Sequence, residues 1–230
     1  MKESNFDLAK IFGHDVEYVD NIINNIGHYI RRFKIPKKSG GERSIVAPKD
    51  KLKELHHTIA KKILSKYRDP KSAHGFIKNK GILTNANEHV GAKSLGHVDI
   101  ENFFDSINSD HMSNCLLGNK NICKMCRNYD KMLLGKCNPS LYYNKEYSYP
   151  HKCEEIKALL IPEYNEHYDS LFKKIIGLCL YKNQAVQGFP TSPKIANISL
   201  RGFDDKLSSI AQQNNCSYTR YADDLSFSSK

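Results

Sequence analysis

The chain has 230 residues, 40% hydrophobic and 26% charged, with a mean hydropathy of -0.58. These values fit a globular protein with a sizeable core and exclude a disordered tail, a disulfide-stapled miniprotein or a membrane span of ~18 apolar residues. The net charge of +10 is concentrated: residues 31–80 hold 16 Lys/Arg against 4 Asp/Glu, and the other residues hold 19 against 21.

The elements read as follows in chain order. Val16, Val19, Ile22, Ile23, Ile26 and Ile30 have helical spacing within Phe6 to Phe33, with Asp15 as cap. Between Phe33 and Pro48, two short extended runs flank Ser39-Gly40-Gly41, which is hairpin chemistry. Lys51 to Tyr67 reads as a helix with a stripe of Leu52, Leu55, Ile59, Ile63 and Leu64, stopped by Asp69-Pro70. A helix is expected from Thr84, with Thr84 as cap. Val98 to Asn102 reads as a strand, and Phe103 to Cys115 as a turn and then a helix. Residues 116–165 lack clear periodicity and read as a Cys-rich insertion. Leu171 to Leu180 is helical, as is Ser192-Pro193 to about Gln213, with Pro193 in the first turn. The segment Tyr218 to Ser228 reads as a hairpin with Asp223 and Asp224 at its turn.

A basic zone of this density attracts polyphosphate through counterion release, and a solvated basic surface is the plain alternative. Met1 to Asn5 lacks the apolar core of an export signal. Seven cysteines, an odd number, are then expected in a reducing cytoplasm as thiols or metal ligands.

Two adjacent carboxylates at a tight turn repel, and a divalent cation is the usual remedy. Asp99, in His97-Val98-Asp99-Ile100-Glu101, is the candidate for a third oxygen ligand. A strand acid beside a hairpin carrying two more can hold a pair of Mg²⁺ ions for phosphoryl transfer. An isolated Asp-Asp would more simply be a polar turn.

The company of these acids favours the metal. Arg43 in the basic hairpin, Val98-Asp99-Ile100 with Phe103-Phe104, Gln187-Gly188-Phe189-Pro190, and Tyr221-Ala222-Asp223-Asp224 occur in that order. The set resembles the reverse transcriptases, with motifs A, B and C in register over residues 29–230 apart from 116–165. Asn85-Ala86-Asn87-Glu88-His89 is similar to the Asn-Ala-x-x-His element of bacterial retron reverse transcriptases. Group II intron and other bacterial defence reverse transcriptases share much of this pattern.

The resemblance implies roles. Asp99, Asp223 and Asp224, helped by the Ile100 carbonyl, would hold two Mg²⁺. Phe104 would lie against the sugar and exclude a 2′-hydroxyl, core packing being its bland alternative. Arg43 and Lys34 would grip the incoming triphosphate, and Gln187 and Gly188 would approach nucleotide and template. Ser192 also reads as a helix cap, and His89 either as an RNA contact or as a packing residue. The family continues beyond motif C into a thumb, which is expected to be missing here.

Cys123-x-x-Cys126, Cys137 and His151-x-Cys153 offer soft ligands for a structural Zn²⁺ held by Cys123, Cys126, Cys137 and Cys153. Unliganded thiols in a surface insertion are the other reading. Cys115, Cys179 and Cys216 read as small buried hydrophobes.

The expected architecture is α+β, a polymerase right hand with an antiparallel palm sheet and packed helices. It divides into an N-terminal helix and fingers (1–95), motif A of the palm (96–115), the insertion (116–165), and motifs B and C (166–230). The expected function is RNA-directed DNA polymerisation with dNTPs, a structured non-coding RNA as template and primer, and a DNA product. Retron likeness adds an effector protein and phage defence. The competing expectation is a non-catalytic RNA-binding module, or a fragment of another reverse transcriptase class.

Overall fold

The computed structural model describes residues 11–37, 40–116 and 167–229. Helix α1 (Val16–Asn24) is capped as its sequence requires, the Asp15 carboxylate accepting the Tyr18 N–H at 2.7 Å. The helix is shorter than its apolar spacing implies. A 3₁₀ turn at Ile26–Tyr29 ends it, and Ile30 already opens strand β1 (Ile30–Pro36). Strand β2 (Glu42–Pro48) pairs antiparallel with β1, Phe33 opposite Ile45, with Gly40 and Gly41 at positive φ between them.

Helix α2 (Asp50–Lys62) buries Leu52, Leu55 and Ile59. It stops well before Asp69-Pro70: Ile63 is its C-cap, its N–H bonding the Ile59 carbonyl, and Leu64–Lys66 tighten into a 3₁₀ turn, with Ile63 and Leu64 both buried. Helix α3 (Ile82–Asn87) begins at a Gly81 cap rather than at Thr84. Thr84 sits one turn inside, its hydroxyl accepting the Gly81 N–H at 2.9 Å, so it serves the same end from the other side.

Strand β3 (Ser94–Asp99) begins four residues before the expected start and ends at Asp99, because Asn102 turns the chain at φ +51°. Its setting also differs from the apolar strand expected. All six residues are exposed, Val98 among them at 56%. Helix α4 (Ser109–Leu116) follows, then α5 (His167–Cys179). The single helix expected from Ser192 to Gln213 is two: α6 (Ser192–Ser199) and α7 (Arg201–Gln213), broken at Leu200. Strands β4 (Cys216–Tyr221) and β5 (Asp224–Ser229) complete a three-stranded antiparallel sheet in the order β3-β5-β4.

The main core gathers Val19 and Ile22 of α1, Leu55 and Ile59 of α2, Met112 of α4, Ile175 of α5 and Ile195 of α6. Each such side chain contributes roughly 1.5–3 kcal/mol on burial. A smaller cluster of Ala211, Tyr218 and Leu225 fixes α7 to one face of the sheet. No described helix is long and apolar enough to cross a membrane. The mixed helices and antiparallel sheets agree with the α+β expectation; the insertion at 116–165 falls almost wholly outside the described residues.

Candidate active site

Side chains alternate across a strand, so paired residues share a face. Asp99 pairs with Asp224, His97 with Ser226, and Leu95 with Ser228; Tyr221 and Thr219 of β4 continue that row. Val98, Leu225, Phe227 and Tyr218 occupy the other face, toward α7. The acids therefore stand on the face that α7 leaves free. Asp223 enters from the β4–β5 turn, where the Ile100 N–H donates to its carbonyl at 3.0 Å. Ile100 thus joins motif A to the turn through its N–H.

The local electrostatics follow from this crowding. Partial burial of the carboxyl, then the charges of Asp223 and Asp99, hold Asp224 above the usual carboxylate range, while His97 acts in the opposite sense. Among the described residues, no three His, Cys, Asp or Glu side chains already converge as a metal-holding group. The donor chemistry nonetheless fits a hard cation. Three carboxylates supply only oxygen, and their mutual repulsion is what a bound Mg²⁺ would relieve.

The fingers hairpin meets motif B through the backbone. The Val46 N–H donates to the Gln187 carbonyl at 2.8 Å. Gly188 lies at φ +115°, and a Cβ there would meet the Val46 oxygen at 2.6 Å and Ile45 Cγ2 at 2.9 Å. Within the described structure, the close approach that Gly188 permits is to the hairpin. Arg43 shares a face with Ile45, on the side toward Gly188, and is exposed. Lys34 points from the opposite face and pairs with Glu42 at 2.6 Å, both exposed. The two expected phosphate cations are therefore not brought together.

Phe104 is partly buried against the main core, with its ring 5.0 Å from Phe103 and 6.2 Å from Phe76. His89 spends both ring nitrogens inside the protein: Nδ1 is 2.7 Å from Ser228 Oγ and Nε2 2.6 Å from Thr219 Oγ1. It thereby ties the end of α3 to β4 and β5. Ser192 is the first residue of α6 rather than its cap, and its hydroxyl is buried with no hydrogen-bond partner among the described residues. The cap position belongs to Thr191, whose hydroxyl lies 2.7 Å from His56 Nδ1 instead of capping. Cys179 is fully buried, and desolvation pushes its thiol up to about 12. Cys216 is only partly buried. Cys123, Cys126, Cys137 and Cys153 lie outside the described residues.

Sequence reasoning missed the buried supports. His56 packs on Phe189 and links α2 to motif B, and burial drives its pKa down to about 3. Arg220 and Asp204 form a fully buried ion pair at 2.7 Å beneath the turn that bears Asp223. A signal was present in Arg220, a charge two residues before that turn in an alternating strand, but its partner could not be read from spacing.

A three-stranded antiparallel sheet with acids on adjacent strands, together with a basic hairpin held to the Gln187-Gly188 segment, is the arrangement of a polymerase palm with part of its fingers. The family model described as reverse transcriptase (RNA-dependent DNA polymerase) matches residues 35–230. The chain belongs to the reverse transcriptase family. It is 31% identical to the retron Mx65 reverse transcriptase of Myxococcus xanthus over 88% of this chain and 41% of that protein. It is 29% identical to the retron Ec86 reverse transcriptase of Escherichia coli, over 97% of this chain and 56% of that protein. The retron Ec73 reverse transcriptase of Escherichia coli gives 28% over 85% and 52%. The chain thus spans about half the length of the curated relatives it matches.

Proposed function

We propose that the chain is the fingers and palm part of a retron-type, RNA-directed DNA polymerase that uses Mg²⁺. The observation that carries this reading is the pairing of Asp99 with Asp224, with Asp223 tied to Ile100 beside them. Family membership and the retron relatives support the substrate class: dNTPs, a structured non-coding RNA as template and primer, and DNA as product.

In the proposed reaction a primer hydroxyl oxygen forms a bond to the α-phosphorus of a dNTP. The bond from that phosphorus to the bridging oxygen breaks, pyrophosphate leaves, and the hydroxyl proton passes to solvent. Asp99, Asp223 and Asp224 would hold the Mg²⁺ pair, with the Ile100 carbonyl as a further ligand. When bound, the ions lower the pKa of the attacking hydroxyl and neutralise charge on the leaving oxygen. Arg43, exposed on the hairpin face toward Gly188, would bond triphosphate oxygens with its planar fork. Lys34 would serve the same end only after leaving Glu42. Phe104 would bar a 2′-hydroxyl. Gln187 and Gly188 hold the hairpin against motif B, which is the contribution their backbone contacts support.

An effector protein and a part in phage defence rest on retron likeness alone, and a cytoplasmic location on the cysteine usage. Zinc at Cys123, Cys126, Cys137 and Cys153 rests on ligand type, and metal analysis of the chain purified without added zinc tests it. For the polymerase itself, RNA-templated primer extension by the full chain is compared with Asp223→Asn. The reading expects incorporation by the wild-type chain that is lost in the variant, because a metal ligand is removed. Equal incorporation by both proteins removes it.

A further inference from the structure

The turn that carries Asp223 is held in a conformation its sequence does not favour. Ala222 sits at φ +59°, a left-handed backbone that an alanine adopts only when its surroundings enforce it. Three contacts enforce it. From below, Arg220 Nη1 donates to the Ala222 carbonyl at 2.9 Å. From the side, Gly75 lies so close that a Cβ there would stand 2.5 Å from the Ala222 nitrogen. From motif A, the Ile100 N–H holds the Asp223 carbonyl.

Arg220 is the centre of this arrangement. Its side chain has no exposed surface, and neither has that of Asp204. Nε donates to Asp204 Oδ1 at 2.9 Å and Nη2 to Asp204 Oδ2 at 2.7 Å. Nη2 also reaches Asn197 Oδ1 at 3.2 Å, and Asn197 Nδ2 donates to the Gly75 carbonyl at 3.1 Å. The Tyr218 hydroxyl donates to Asp204 Oδ1 at 2.7 Å, so that the carboxylate is fully occupied. The backbone of Arg220 is fixed as well: its N–H donates to the Ser72 carbonyl and its carbonyl accepts from His74. The guanidinium lies 6.0 Å from the Phe103 ring of motif A. The circuit runs from the turn through Arg220, Asn197 and Gly75 back to the turn.

Stability alone does not call for such a pair. A buried ion pair is matched or bettered by apolar residues of the same volume. What apolar residues cannot do is hold a carbonyl at a chosen point. Lysine cannot do it either while also satisfying Asp204, because it offers a single ammonium instead of a fork.

We propose that Arg220 is the positioning residue of the catalytic turn. It holds the Ala222 carbonyl and so keeps Asp223 and Asp224 beside Asp99, where a bound cation would draw the three carboxylates together. The inference rests on the polymerase reading above and adds a residue that touches neither substrate nor metal.

The test uses the full chain and two replacements, the double variant Arg220→Met/Asp204→Leu and the single variant Arg220→Lys. Three quantities are measured: the melting temperature, the Mn²⁺ dissociation constant by calorimetry without nucleotide, and the Mg²⁺ concentration for half-maximal primer extension beside the KM for dNTP. The double variant is expected to fold with a melting temperature near that of the wild type. Its Mn²⁺ affinity is expected to fall about 10–100-fold, as for a residue that orients metal ligands. Its Mg²⁺ requirement should rise while the KM for dNTP stays unchanged. Arg220→Lys should show the same loss of Mn²⁺ affinity. A folded variant with wild-type Mn²⁺ affinity and Mg²⁺ requirement overturns the inference, and unfolding of both proteins overturns it too by showing a purely structural pair. A wild-type chain that neither binds Mn²⁺ nor incorporates dNTP sinks the polymerase reading and this role together. A wild-type chain that does both, matched by its variants, sinks the role of Arg220 only.

Discussion

Asp99 and Asp224 face each other across two antiparallel strands, at the last position of β3 and the first of β5. Pairing at strand ends leaves both carboxylates at the lip of the sheet, where the β4–β5 turn delivers Asp223. The sheet thus places three like charges at one edge, where partial burial and the charges of Asp223 and Asp99 hold the Asp224 carboxyl above the usual carboxylate range. A site strained by its own charge has affinity for a divalent ion as its natural counterpart.

Divalent cations should therefore stabilise the chain. Mg²⁺ or Mn²⁺ at ten times its dissociation constant is expected to add about 1.4 kcal/mol by mass action, read as a rise in melting temperature. Asp99→Asn and Asp223→Asn should each abolish most of that rise.

Gly188→Ala should be costly. The new methyl would stand 2.6 Å from the Val46 oxygen at φ +115°, so both strain and backbone overlap oppose it. Strain alone predicts a loss of roughly 1–3 kcal/mol in a denaturant titration. Because the hairpin must shift to make room, primer extension should weaken beyond what the stability loss explains.

His56 makes the fold sensitive to acid. Its pKa falls from about 6.5 in the unfolded chain to about 3 in the fold, with burial as the main cause and His57 as a minor one. The folded state thus binds fewer protons. The full stability is present above pH ~6.5 and declines as pH falls toward 3, by about 1.4 kcal/mol per unit. His56→Leu should flatten that decline in melts recorded between pH 4 and 7, at roughly 1 kcal/mol lower stability in neutral solution from the lost Thr191 bond.

His89→Ala removes two hydrogen bonds that join the end of α3 to β4 and β5. A loss of about 1–3 kcal/mol is expected. If the ring served only to contact RNA, the variant would keep its melting temperature and lose RNA affinity instead.

The sequence was most informative where chemistry demands contiguous residues. Tyr221-Ala222-Asp223-Asp224 and Gln187-Gly188 are short because a turn and a close backbone approach are local events. Asp15 and the stripe of α2 were readable for the same reason, as a cap and a period. Less could be read where tertiary contact decides. Strand β3 was misjudged in extent and setting, since a strand exposed on both faces carries no alternation of polarity. The break at Leu200 has no proline to mark it, and Gly202 lies just past it inside the next helix. Lys34 and Arg43 both looked like fingers cations, and only the hairpin register puts them on opposite faces. Asp204 gave no sign that it would lie buried against Arg220, because that pairing exists only once α7 packs on β4.

The most direct measurement is anomalous diffraction from crystals of the full chain grown with Mn²⁺, an RNA template with primer, and a non-hydrolysable dNTP. A manganese peak is expected within coordination distance of the Asp99 and Asp223 carboxylates. Manganese found only elsewhere, or nowhere with all three components bound, would contradict the polymerase reading.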